Sequence, residues 1–253
     1  MGMSWSKVFG SDVGVGFKAV VIGLVVFVVL GARCVVLGFL AGTSGPMDVV
    51  LAKACTDAGA CPLDVILLNG QVFPRTSGAT IEKIQTLLDK TPTLNTVCFS
   101  SPGGSNEDAS EISRYISTKG LNTCMAQIYL KLDNSPLLTG KAACLSMCPW
   151  MLLAGRTRTV LSKSVEVGFH GSSGNLRFCG CVWHGGPDLQ AKEALAKLIR
   201  SNSEDRGDSE AVLNKHLALL DWSFEQGFGQ TKARPVKDLL ETDYFFTSDK
   251  SGA

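Results

Sequence analysis

The sequence predicts an α/β domain built on a mainly parallel sheet with crossover helices, preceded by an N-terminal transmembrane helix. Three observations carry this reading. Short apolar runs alternate with segments of helical periodicity between Val65 and Ala126. An almost entirely apolar block runs from Val13 to Ala41. The rest, about 190 residues, suits one domain. At 45% hydrophobic and 19% charged, the 253-residue chain is too apolar for disorder. Its 24 basic and 23 acidic side chains balance, and no Lys/Arg-rich run is present, so no nucleic-acid partner is expected.

Four stretches follow: a cytosolic tail (1–12), an anchor or uncleaved signal segment (13–42), a linker (43–62) and the domain proper (63–253). A helix over Val13–Ala32 is about 30 Å long, enough to span a bilayer core. Lys18 would snorkel at one end. Shifting the span to Ala19–Ala41 buries Arg33, at about 2.5–3.5 kcal/mol for a central arginine, so the earlier register is favoured. A cleaved signal peptide is the main alternative and a buried core helix the lesser one. The basic residues ahead of the block place the N-terminus in the cytosol and export the rest. The cysteine count agrees. Of nine, Cys34 lies in the apolar block, leaving an even set that suits an oxidising compartment. Cys55 and Cys61 bracket a short glycine-containing loop and are the candidate disulfide.

Along the domain, Val65–Leu68 reads as a buried strand closed by Asn69-Gly70. Ile81, Ile84, Leu87 and Leu88 recur at helical spacing between a Thr76 or Ser77 cap and Pro92. Leu94–Phe99 is a second strand, followed by Ser100-Ser101-Pro102-Gly103-Gly104. A helix with Ala109, Ile112 and Ile116 on one face starts at Ser105 or Asn106 and stops at Gly120. Asn122–Ala126 is the third strand, and this order predicts a parallel sheet with right-handed crossovers. Tyr129–Thr139 reads as a polar insertion, a plain surface excursion in the first place and a lid or substrate-binding loop in the second. A near-continuous apolar helix then runs to Gly155. Pro149 fits only its first turn, so it should start near Met147 with Ser146 at its edge. Arg158–Leu161 and Val165–His170 are strands, and Asp188–Arg200 and Asp208–Trp222 are amphipathic helices.

Taken singly, Ser146 is a helix cap, Gly103-Gly104 a turn and His170 a structural strand-end histidine. Taken together they have a chemistry. Free N–H groups at a helix start and at a glycine turn can hold an oxyanion, and a nearby imidazole can act as general base.

The stretch 63–247 resembles the ClpP/crotonase-like superfamily, in its serine-peptidase branch with Clp protease and signal peptide peptidase A, and among these the predicted periplasmic ClpP-like proteins. Phe99-Ser100-Ser101-Pro102-Gly103-Gly104 matches the family's strand and Ser-Pro-Gly-Gly turn. Ser146-Met147 with Met151-Leu152-Leu153-Ala154-Gly155 matches the nucleophile and its helix. Val167-Gly168-Phe169-His170 matches the strand that carries the histidine. The resemblance implies that Ser146 attacks an acyl carbonyl, that His170 moves its proton, and that Gly103, Gly104 and Met147 form the oxyanion hole. It offers Asp243, in Thr242-Asp243-Tyr244-Phe245-Phe246-Thr247, as the third member, with Asp221 as runner-up. It implies a ClpP-like serine endopeptidase acting on a peptide or protein substrate, without a cofactor. Relatives form rings or trimers, so a homo-oligomer is compatible with it. With the anchor, it implies a single-pass inner-membrane protein whose globular domain lies in the periplasm. Cys144 and Cys148 flank Ser146 as in periplasmic relatives, as a disulfide or as buried thiols.

The departures are the insertion before Ser146 and the Gly171-Ser172 that follows His170 in place of Gln-Pro. Competing readings are a Ser–Lys dyad using Lys192 or Lys197, a metal site at Cys179-Gly180-Cys181 with His184, an acyl-CoA enzyme of the same fold, and a catalytically inactive, membrane-tethered module that binds peptides or partner proteins. No metal is assigned.

Overall fold

A computed structural model describes residues 45–138, 141–178, 181–226, 231–240 and 244–249. The proposed anchor lies outside them. Among the described residues no helix is long and apolar enough to cross a membrane.

The first strand lies where the sequence reading has a linker. β1 (Asp48–Cys55) pairs antiparallel with β2 (Leu63–Asn69), Val50 opposite Leu67 and Ala54 opposite Leu63. The loop between them is closed by the expected Cys55–Cys61 disulfide. The strand–helix order then appears as expected: α1 (Ser77–Lys90), β3 (Thr96–Ser100), α2 (Asn106–Thr118) and β4 (Asn122–Met125). β2, β3 and β4 pair parallel, and α1 packs on α2.

Further along come β5 (Ile128–Leu130), β6 (Ala143–Leu145), α3 (Cys148–Leu152), β7 (Arg158–Val160) and β8 (Glu166–Phe169). They are followed by α4 (Leu189–Arg206), α5 (Glu210–Glu225), β11 (Lys232–Pro235), α6 (Val236–Leu240) and β12 (Ser248–Asp249). Between β8 and α4, β9 (Ser173–Phe178) and β10 (Cys181–Pro187) form a two-stranded sheet of their own. The main sheet has seven strands in the order β12-β7-β4-β3-β2-β1-β5, parallel from β12 to β2 and antiparallel beyond. A three-stranded sheet has the order β11-β8-β6. Backbone bonds from Ser101 N to Ala143 O (2.7 Å) and from Leu145 N to Ser101 O (2.9 Å) join the end of β3 to β6.

Side-chain alternation explains the layers. In β2, Ile66 and Leu68 face one core with Val97, Phe99, Ile84, Ile112 and Ile116. Val65 and Leu67 face the opposite way, into a second core with Cys98, Cys124, Ala52 and Tyr129. A strand buried on both faces reads as the continuous apolar run seen in the sequence. Cys98 and Cys124 stand directly opposite each other on β3 and β4 and are joined by a disulfide.

The second core corrects the reading of Tyr129–Thr139 as a surface excursion. Ile128–Leu130 is an edge strand on β1, Tyr129 is 1% exposed, and Leu137 and Leu138 pack on the same core. The Tyr129 hydroxyl accepts from the Ala126 N–H at 2.9 Å. One aromatic and two leucines in a polar stretch cover a sheet face that would otherwise meet water.

Helix ends follow capping chemistry. Asp188 accepts from Ala191 N, Ser209 from Val212 N, and Gly207 ends α4 with φ 70°. Thr76 holds the N-cap position of α1 without a side-chain cap bond. The acceptor comes from α2 instead: Oδ1 of Asp108 takes the Thr76 N–H at 2.8 Å and the Ser77 N–H at 2.9 Å.

Candidate active site

β6 and β8 run parallel, with Leu145 opposite Gly168, and the Ser146 N–H donates to the Gly168 carbonyl at 2.8 Å. Ser146 therefore leaves the end of β6 and His170 the end of β8, on neighbouring strands pointing the same way. Phe169, just before His170, is held edge-to-face against Trp150 of α3, Trp222 of α5 and Phe245. Gly171, just after it, runs so close to α5 that a Cβ there would lie 3.1 Å from Phe224 Cα. The end of β8 is fixed from both sides.

Ser146 does not open the helix. Met147 is the N-cap and α3 begins at Cys148, with Pro149 in the first turn where it was expected. Ser146 sits in the turn between strand and helix with φ 59°, in the left-handed region. For a residue with a Cβ this conformation costs about 1–2 kcal/mol, and such strain is kept only where the surroundings over-determine it. Here they do. Cys144 and Cys148, both fully buried, form a disulfide that closes the loop around Ser146, the first of the two states the sequence left open. Gly103, at φ 87°, is pressed on the same turn: a Cβ there would lie 2.6 Å from Ser146 Cβ and 2.7 Å from Met147 N. Gly104, at φ 141°, backs onto the Val72 carbonyl, where a Cβ has no room at all. Bonds from Val72 N to Gly103 O and from Ser105 N to Val72 O, each 2.8 Å, hold that turn in place.

The three residues read as oxyanion donors are not equivalent. The Gly103 N–H is already given to Ser101 Oγ at 3.0 Å. Among the described residues, the Gly104 and Met147 N–H groups have no hydrogen-bond partner. These two donors are unspent there, one on the residue after Ser146 and one on the residue after Gly103, which presses on the same turn.

His170 is half-buried, and its Nδ1 is 2.8 Å from the Gly171 carbonyl. A carbonyl only accepts, so Nδ1 carries the hydrogen and Nε2 of the neutral ring has the lone pair. Ser146 Oγ makes no hydrogen bond to this ring among the described residues. Asp243 lies outside the described residues. Asp221 is elsewhere: it is exposed on α5 and pairs with Lys192 at 2.8 Å. Lys192 is thereby occupied, and Lys197 pairs with Glu193 at 3.1 Å on the solvated face of α4, so neither lysine is given to Ser146. Of the metal-site candidates, Cys179 and Gly180 lie outside the described residues, while Cys181 and His184 belong to β10. Among the described residues, no three His, Cys, Asp or Glu side chains cluster to hold an ion.

The sequence did not point to Asn106. Its side-chain amide donates to Ser172 Oγ at 2.9 Å, tying the start of α2, just past the glycine turn, to the loop after His170. An asparagine in a first helical turn gives no signal of such a reach.

No protein-family model matches the sequence, and no curated protein does. Among solved structures the chain is similar to a mutant of the membrane-bound stomatin-specific protease 1510-N, with 10% identity, 74% of this chain and 78% of that chain covered, and a TM-score of 0.48.

Proposed function

We propose that this chain is a ClpP-like serine hydrolase that cleaves peptide bonds, with Ser146 as nucleophile, His170 as general base and the Gly104 and Met147 N–H groups as oxyanion donors. The observation that carries the reading is Ser146 itself. It is a strained serine between a strand and a helix, with the unspent Met147 donor next to it, the glycine turn that carries the Gly104 donor pressed on it, and an imidazole at the end of the neighbouring strand. Nε2 of His170 has the free lone pair that a base needs. The Gly171 carbonyl holds the tautomer, the task a carboxylate performs in a triad; Asp243 would take over or reinforce that task. Catalytic hydrogen bonds are often long in empty sites and tighten with substrate, so a rotation of His170 would complete the pair. The oxyanion of the tetrahedral intermediate would then form about 3 Å from both donors.

The apolar segment at 13–32 anchors the domain to the membrane in this proposal, with the globular part exported to the periplasm. The even cysteine set and the three disulfides among the described residues support export. A reporter active only in the cytosol, fused after Ala253, should stay silent; a strong signal would refute export.

The second reading, an inactive module that binds peptides, is favoured by the missing Ser146–His170 hydrogen bond. A fluorophosphonate probe separates the two. Labelling of the wild type that disappears in Ser146→Ala supports the hydrolase; a wild type that takes up no probe supports the binding module.

A further inference from the structure

His216, on α5, is fully buried, and its Nε2 is 3.0 Å from the Tyr244 carbonyl. The carbonyl must accept, so Nε2 carries the hydrogen. Burial pushes the imidazole down to about 4, and the nearby Arg158 and Arg206 add to that, so the ring is neutral and Nδ1 is an acceptor. This Nδ1 has no partner among the described residues. Neither has Oδ1 of Asn202, on α4 and 3% exposed. A buried acceptor without a donor is unfavourable, and the two residues that carry these acceptors line one small cavity of about 10 Å³. Arg206 lines it too, with Trp150 and Leu153 from the helix after Ser146 as apolar walls.

We propose that this cavity is a binding site for a single structural water. The water gives one hydrogen to His216 Nδ1 and the other to Asn202 Oδ1. It is the smallest ligand with two donors, and two acceptors are what the walls leave unmet. The space matches it, since a cavity needs roughly 10–15 Å³ of this kind to admit one water. Arg206 completes the shell. Its Nη1 donates to the Leu153 carbonyl at 2.6 Å and its Nε and Nη2 donate to Asp208, leaving one N–H on each terminal nitrogen for the water oxygen. A cation is excluded by the guanidinium groups of Arg206 and Arg158 alongside. The bound water would join α4 to α5 directly behind α3.

The test is a crystal structure of the full chain at a resolution that shows ordered waters. The expected result is one peak within about 2.7–3.2 Å of both His216 Nδ1 and Asn202 Oδ1. An empty cavity would overturn the proposal, and so would an Asn202 amide turned to donate straight to His216. In solution, the nitrogen spectrum of His216 should show a hydrogen-bonded Nδ1 in the wild type. Asn202→Leu, which fills the cavity, should shift it to the position of a bare acceptor while Nε2 stays protonated. An Nδ1 signal that does not move in the folded variant would refute the bridge.

Discussion

Replacing Asp108 with alanine should loosen two helices at once. The carboxylate is 3% exposed and sits in the first turn of α2, where its Oδ2 takes the Ser105 hydroxyl at 2.6 Å. Its Oδ1 serves the start of α1, accepting from Thr76 and Ser77. Alanine leaves both N–H groups without that acceptor. A hydrogen bond to a charged group contributes about 1.5–3 kcal/mol, so two of them put the loss near 4 kcal/mol. At roughly 2–4 °C per kcal/mol for a domain of this size, the melting temperature should fall by about 10 °C. Asp108→Asn keeps an oxygen for the two N–H groups but not the charge, and should lose about half as much. The assay is thermal and urea unfolding followed by circular dichroism. Burial alone would raise the Asp108 carboxyl, but bonds from Ser105 and from the Ser77, Arg75 and Thr76 backbone outweigh it and hold it below 3.8. The folded state therefore favours the charged form. Its contribution is complete above the ordinary carboxylate range and is lost as pH falls through the lowered value, so the gap between wild type and alanine variant should close only in strong acid. A loss under about 1 kcal/mol, within the range of an ordinary surface change, would refute the shared cap.

Other outcomes follow from the same geometry. Gly103→Ala should abolish probe labelling of Ser146 and lower stability by about 2–4 kcal/mol, because the new methyl meets the Leu145 carbonyl, Ser146 Cβ and Met147 N at a positive φ; a folded, fully labelled variant would refute the close approach. Tyr129→Phe should lower stability by about 1–3 kcal/mol in urea unfolding by leaving the Ala126 N–H unmet, whereas a neutral result would restore the surface-loop reading. His216 is held near 4 against 6.5 when exposed, so the unfolded chain binds the extra proton first and stability should fall as pH drops from about 6.5 to about 4. His216→Phe should remove that part of the slope; an unchanged slope would refute the assignment.

The middle of the fold was legible because two periods alternate there without conflict. Val65–Leu68 is an apolar run of strand length, Leu94–Phe99 ends in another at Val97–Phe99, and Ile81, Ile84, Leu87 and Leu88 can share a face only in a helix. β1 was not legible. Val49, Val50 and Leu51 are only partly buried, while its innermost residues, Ala52 and Ala54, are small with Lys53 between them, so Asp48–Cys55 shows neither a continuous apolar run nor a clear alternation although it pairs along its whole length. Tyr129 failed for a related reason: its partners in the second core lie on β1, β2, β3 and β4, and no local pattern shows a side chain that packs at such distance in the chain. At the site, residue types pointed to Ser146, His170 and the glycine turn, because unusual chemistry needs unusual residues. The backbone of Ser146 gave no sign, since a left-handed position is normally marked by glycine or asparagine. Which N–H groups remain unspent was also out of reach. That depends on Ser101 Oγ capturing the Gly103 N–H, a matter of a few tenths of an ångström.

The left-handed turn at Ser146 means that chemistry and folding ask for different residues at one position. Glycine would take φ 59° without steric penalty. Ser146→Gly should therefore unfold at a higher temperature than the wild type while losing all reactivity, an inverse relation unlike that of ordinary truncations. Threonine, also a hydroxyl nucleophile, would suit the backbone still less, because a second branch at Cβ makes positive φ a true outlier. The turn thus narrows what selection or an engineer can place there. A stabilising screen run without an activity filter would drift away from serine at this residue.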